Sequence, residues 1–246
     1  MSHFASAGGQ IPLALGIKER PGFDLFVTGE NHEAVQGIKN LAGGSQHSSI
    51  YVWAQSGTGV SHLLQAACML SDAMNFQVAY VPLRDYGELD PQVLENLDNM
   101  DMVCIDDIDA IAGMTAWEQP LLHLYNRLRD KGSVMLFGAH ASPQSVNFQL
   151  QDLKSRLSWG LVFHLKPLND QDKIEVLQRR ASARAFDLPA EVAGYLVNRV
   201  PRDLPNLITL LDELEKATLA EQKKLTIPFV KTFLNKNSES RSQNSE

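Results

Sequence analysis

Apolar residues follow two alternating rhythms through the first two thirds of the chain. Short unbroken runs at residues 50–53, 77–83, 102–105, 134–137 and 161–165 have strand length, and the run at 102–105 suits the centre of a parallel sheet. Between the runs the spacing turns helical. Leu63, Ala67, Leu70 and Met74 share one helical face, and Trp117, Leu121, Leu124, Tyr125 and Leu128 share another, which Gly132 ends as a stop signal. Strands alternating with helices of this length predict right-handed crossovers and a parallel sheet covered on both faces. After Pro167 the strand rhythm stops. The stripes that remain are helical: Ile174/Leu177/Ala181, Val192/Leu196/Val197 and Leu207/Leu210/Leu211/Leu214. The chain therefore reads as an α/β domain over residues 16–167 and a small helical domain over 168–234, with a hinge near 166–169. Residues 1–9 and 235–246 are too polar to offset the entropy of ordering them, and they are expected to be flexible tails.

Composition narrows the class. With 246 residues, 44% of them hydrophobic and 21% charged, the chain is ordinary for a soluble globular protein and long enough for a full core. A net charge of -7 argues against holding duplex DNA through a general positive field, so any tie to nucleic acid is expected to run through protein partners. Cys68 and Cys104 fall in stretches expected to be helix and strand, and they read as reduced core thiols without disulfide or metal-ligand spacing. No apolar run approaches the ~18 residues of a membrane span, and the first twenty residues lack a signal-peptide pattern. A cytoplasmic location is expected.

Chemistry enters at Ala54-Gln-Ser-Gly-Thr-Gly-Val-Ser61, between an expected strand and an expected helix. Backbone N–H groups of Ser56, Gly57, Thr58, Gly59, Val60, Ser61 and His62 can point at phosphate oxygens there, helped by the positive end of the helix. Against the pattern G-x-x-x-x-G-K-[ST], Ala54 replaces the first Gly and Val60 replaces the Lys. Taken alone, the segment reads equally well as a plain Gly-rich turn. Losing one charge-assisted contact costs about 1.5–3 kcal/mol. Nucleotide binding survives such a loss, whereas efficient hydrolysis by the chain alone is not expected. The apolar run Met102-Val-Cys-Ile-Asp-Asp107 then ends in two carboxylates, the arrangement in which Asp106 holds Mg²⁺ and Asp107 orients water. The two motifs together are far more specific than either alone.

From these residues outward, over positions 10–234, the chain resembles the DnaA-related AAA+ family and, within it, the Hda group. The segment Phe23-Asp-Leu-Phe-Val-Thr-Gly-Glu-Asn31 is similar to the family's adenine-wrapping lead-in, which implies base contacts for Phe23, Phe26 and Val27. Asp106-Asp-Ile-Asp109 matches the family's Walker B. Arg156 in Lys154-Ser-Arg-Leu-Ser-Trp-Gly160 resembles the arginine finger, and Arg202 in Val200-Pro-Arg-Asp203 fits the sensor of the lid. Leu225-Thr-Ile-Pro-Phe-Val-Lys231 is similar to the Hda C-terminus. His140 falls where relatives carry an acidic or amide side chain that positions water, so that role is expected to be lost. Gln10-Ile-Pro-Leu-Ala-Leu15 is similar to the Q-L-x-L-x-L peptide with which Hda proteins grip the sliding clamp; Gln10 would bond at a pocket rim while Ile11, Leu13 and Leu15 bury apolar surface. An arm packing on its own domain is the alternative for that segment.

The resemblance implies an AAA+ αβα sandwich followed by a helical lid. It also implies a negative regulator of replication initiation. The partners would be the β sliding clamp and ATP-bound DnaA, with Arg156 acting in trans on the DnaA nucleotide and Asp107 retaining only a residual catalytic role. The chain's own ligand would be ADP or another nucleoside diphosphate, with Ser61 and Asp106 as candidate Mg²⁺ ligands. Self-association through AAA+ faces is expected, and sequence-specific DNA binding and membrane attachment are not. The competing expectation is an autonomous AAA+ ATPase acting as a helicase loader or remodelling protein.

Overall fold

The computed structural model describes residues 21–44, 49–199 and 203–243. The chain forms two compact units. The first holds a sheet of five parallel strands in the order β2-β3-β4-β1-β5, where β1 is Ser49–Trp53, β2 Val78–Pro82, β3 Met102–Asp106, β4 Val134–Ala139 and β5 Leu161–His164. All five strands lie on the runs the sequence marks. Every residue of β3 is buried, as its unbroken apolar run requires, and alternate residues face opposite helices. Val103 and Ile105 join the cluster that includes Leu121, Leu124, Tyr125 and Leu128 of α3 (Thr115–Lys131). On the other side Cys104 meets the Leu64 carbonyl of α2 (Val60–Ala73), and Met102 accepts the Ser71 hydroxyl.

The buried face of α2 differs from the one expected. Leu63, Leu64, Ala67, Cys68 and Ser71 are covered, whereas Met74 sits at the C-cap and is 47% exposed. Apolar residues occur all round this helix, so spacing alone does not select the face turned to the sheet. Gly132 ends α3 as expected, at φ 75°, with its N–H bonded back to Leu128 and Arg129 carbonyls. Two helices of this unit lack a clear sequence signal: α1 (His32–Ala42) and the seven-residue α4 (Gln151–Leu157). β5 is one of the two edge strands, and Leu161 and Val162 remain over a third exposed there.

The second unit contains α5 (Asp170–Ala183), α6 (Ala190–Arg199), α7 (Leu204–Glu221) and α8 (Ile227–Gln243). Its core is built from the expected stripes, with Leu177, Ala181, Val192, Leu196, Val197, Leu207, Leu210, Leu211 and Leu214 packed together. Asn169 caps α5 and Asp203 caps α7, where Pro205 occupies the first turn that its fixed φ suits. Helix α8 runs into the polar stretch after residue 235, which holds no Gly or Pro to interrupt it. Asp24–His32 and Gln55–Thr58 group with this unit although they precede most of the sheet in sequence. Arg179 of α5 donates to the carbonyls of Asp24 and Phe26, and Asn31 exchanges two hydrogen bonds with the Lys166 backbone. Among the described residues no helix is long and apolar enough to cross a membrane.

Candidate functional site

The loop after β1 has the backbone an anion cradle needs. Gly57 and Gly59 lie at φ 82° and 107°, in the left-handed region that admits glycine without strain. Thr58 closes the turn by donating its N–H and hydroxyl to the Gln55 carbonyl. Gly59 is the N-cap of α2, and no side chain caps that end, so the first-turn N–H groups are left open to an anion. Phe26 and Val27 of the lead-in segment are buried, and the Lys39 ammonium lies over the Phe23 ring. His62 donates from Nε2 to the Gly22 carbonyl at 2.9 Å.

Val60 turns inward. A Cβ added to Gly138 of β4 would lie 2.9 Å from Val60 Cγ1 and 2.5 Å from Asp106 Oδ1, so these two groups converge on the bare backbone of Gly138. Where the phosphate-loop pattern has an ammonium, this chain has a valine, whose methyl group and the Asp106 carboxylate both approach Gly138.

Asp106, at the carboxyl end of β3, is 2% exposed. Its Oδ2 accepts the Tyr80 hydroxyl at 2.6 Å and its Oδ1 accepts the Asp107 N–H at 3.0 Å. The strand register explains the first bond: Tyr80 pairs with Cys104 and Pro82 with Asp106, so Tyr80 and Asp106 project from the same face. Gln65 of α2 in turn donates to the Tyr80 oxygen. Burial, with the Asp106 charge beside it, pushes the Tyr80 phenol well above its ordinary value, so the proton stays on the tyrosine.

Asp107 follows in the left-handed conformation, at φ 52° and ψ 42°. Arg84, just past the end of β2, brings Nε to 3.1 Å from Asp107 Oδ2 and Nη2 to 3.4 Å from Oδ1. His140, just past β4, places Nδ1 3.5 Å from Asp107 Oδ1 and 3.3 Å from Asp109 Oδ2. Burial and the Asp106 charge raise the Asp107 carboxyl from its ordinary range, and Arg84 and His140 pull it back. The Arg84 guanidinium is held above its usual value, chiefly by the Asp107 charge.

Ser61 and Asp106 supply oxygen donors of the kind Mg²⁺ takes, and each Asp106 oxygen keeps a lone pair beyond the bond it accepts, so the residues fit that ion. Among the described residues no three His, Cys, Asp or Glu side chains are arranged to hold a metal ion by themselves, so a cation here would rely on phosphate oxygens and water.

Arg156 stands in the last turn of α4. Its guanidinium carbon lies 5.3 Å from the centre of the Trp159 ring, and Trp159 is 71% exposed. Nε is buried without a hydrogen-bond partner among the described residues, with Asp152 Oδ1 3.5 Å away. The helix is anchored from below. Glu118 of α3, fully buried, accepts the N–H groups of Gly113, Gln149 and Leu150 at 2.7, 3.1 and 2.8 Å, the last two leading into α4.

The structure thus brings together Val60, Asp106, Asp107 and His140, with Arg156 carried on the separate helix α4. Arg202 and the segment with Gln10, Ile11, Leu13 and Leu15 lie outside the described residues. Sequence reasoning missed Tyr80, Arg84 and Glu118. Arg84 carries the one legible signal, a charged residue just beyond the carboxyl end of a parallel strand, where α/β sheets bind ligands.

The family model described as "Bacterial DnaA ATPAse domain" matches residues 17–164, more than half of the chain, and the model "Hda, lid domain" matches residues 170–234. Domain III of DnaA from Thermotoga maritima is similar in fold at TM-score 0.77 and 21% identity, over 88% of this chain and 96% of that one. AMPPCP-bound DnaA from Aquifex aeolicus is similar at TM-score 0.69 and 20% identity, over 81% and 66%. The RuvB Holliday junction branch migration motor from Thermotoga maritima is similar at TM-score 0.63 and 15% identity, over 82% and 68%.

Proposed function

The chain belongs to the DnaA-related AAA+ family and carries the lid of its Hda members, and on that premise we propose that it is a nucleotide-dependent regulator of DnaA. With clamp loaded on DNA and bound through residues 10–15, it stimulates hydrolysis of the ATP held by DnaA. Arg156 is the finger supplied in trans, and fingers of this kind accelerate hydrolysis by about 10³–10⁵ in GTPases. The observation that carries the reading is the state of Arg156: a guanidinium on a braced helix, over an exposed tryptophan, with Asp152 Oδ1 3.5 Å from its Nε.

The chain's own nucleotide, ADP in this reading, serves structurally. A DnaA relative binds AMPPCP, and the glycine loop and uncapped α2 here support a phosphate at the same loop. Phe23, Phe26, Val27 and Arg202 are the proposed contacts to the rest of the nucleotide. Mg²⁺, when bound, would neutralise phosphate charge. Val60 leaves the loop without a cation of its own, which disfavours turnover.

Phosphate release from ATP-DnaA with DNA-loaded clamp tests the proposal. The wild-type chain should accelerate it, while Arg156→Ala and the pair Gln10→Ala/Leu13→Ala should not. The paired carboxylates Asp106 and Asp107 favour the competing reading, an ATPase in its own right. ATP turnover by the purified chain without effect on DnaA would establish that reading instead.

A further inference from the structure

Asp106 and Glu118 are both buried carboxylates, but their partners differ in kind. Glu118 takes three backbone N–H groups and so joins distant stretches of chain. Asp106 takes the N–H of its own neighbour and the Tyr80 hydroxyl, and these join nothing that the ladder between β2 and β3 does not already hold. Among the described residues no Lys, Arg or His forms an ion pair with it. Stability alone would be served at least as well by an apolar side chain there. What the two bonds do fix is the plane of the carboxylate, with one donor on each oxygen and one lone pair left on each. Gln65 Nε2 donates to the Tyr80 oxygen at 3.2 Å, which turns the single phenolic proton towards Asp106.

We propose that Tyr80, with Gln65 behind it, is a positioning residue that holds the Asp106 carboxylate in the orientation in which it receives a divalent cation beside a bound diphosphate. This rests on the reading of the chain as a nucleotide binder. Val60 gives the arrangement its weight, because no loop ammonium shares in neutralising the phosphates. Hydrogen-bond partners one step behind a metal ligand typically account for about 10–100-fold in metal affinity. Phenylalanine at position 80 keeps the ring and removes only the donor, so the positioning role can be separated from packing.

Calorimetric titration of the whole chain with ADP, once in EDTA and once in saturating Mg²⁺, reads the coupling between nucleotide and ion. Mg²⁺ should tighten ADP binding to the wild-type chain. Tyr80→Phe should cut that gain about tenfold, or to nothing where the gain is smaller, while the affinity in EDTA stays within about a factor of two. Gln65→Leu should act in the same direction by less, since the hydroxyl still reaches Asp106. Asp106→Asn should abolish the gain, and adding Tyr80→Phe to it should change nothing further. An undiminished gain in Tyr80→Phe, or an equal loss of affinity with and without Mg²⁺, would overturn the positioning role. If ADP binds but Mg²⁺ adds nothing to the wild-type chain, the proposal fails while the nucleotide reading stands. Absence of ADP binding under both conditions removes the two together.

Discussion

Replacing Glu118 with alanine removes a buried acceptor from three backbone donors at once. Each hydrogen bond to a charged group contributes about 1.5–3 kcal/mol. Two offsets reduce the total. Gly113 and Gln149 are exposed residues, so water reaches their freed N–H groups, and the cost of keeping a carboxylate buried disappears with it. A net loss of about 2–4 kcal/mol remains, carried mainly by Leu150 and by the space the side chain leaves. Trp53, Trp117 and Trp159 all belong to the sheet-bearing unit, so urea unfolding followed by tryptophan fluorescence reports on that unit. Amide exchange at Gln149 and Leu150 should rise first, because these groups lose their acceptor directly. Glu118→Gln should lie between wild type and alanine, since one of its amide atoms faces a donor with a donor. A stability change under about 0.5 kcal/mol, with unchanged protection at both amides, would refute the reasoning.

Three further outcomes follow from the geometry. Gly138→Ala drives a Cβ to 2.5 Å from Asp106 Oδ1 and should cost about 1–3 kcal/mol, part of which Val60→Ala in the same chain recovers; a double-mutant cycle in urea measures the coupling. Gly57→Ala meets both a φ of 82° and the Pro205 ring 2.6 Å away, and should lower the thermal midpoint by an amount equivalent to about 1–3 kcal/mol. Burial pushes the Cys104 thiol well above its ordinary value, so it stays protonated and inert to iodoacetamide at pH 8 in the folded chain; peptide mass mapping should find it alkylated only after unfolding.

Local periodicity and motifs of contiguous residues account for everything that could be read from the chain alone. The strand rhythm located all five strands, because a central parallel strand such as β3 must be apolar on both faces. The stripes of the helical unit located its core for the same reason. Ala54 to Ser61 and Met102 to Asp107 were legible because each motif lies along one stretch of backbone. The face of α2 was not legible, since its apolar positions surround the helix and only the sheet selects among them. Nor were the partners of the carboxylates. Tyr80 reaches Asp106 through strand register, Arg84 and Asp107 meet where two neighbouring strands end, and Glu118 reaches the start of α4 across 32 residues. Pairings of this kind depend on which strands lie side by side and on which way each side chain points. Tertiary packing decides both, and the spacing of residues along the chain carries no record of either.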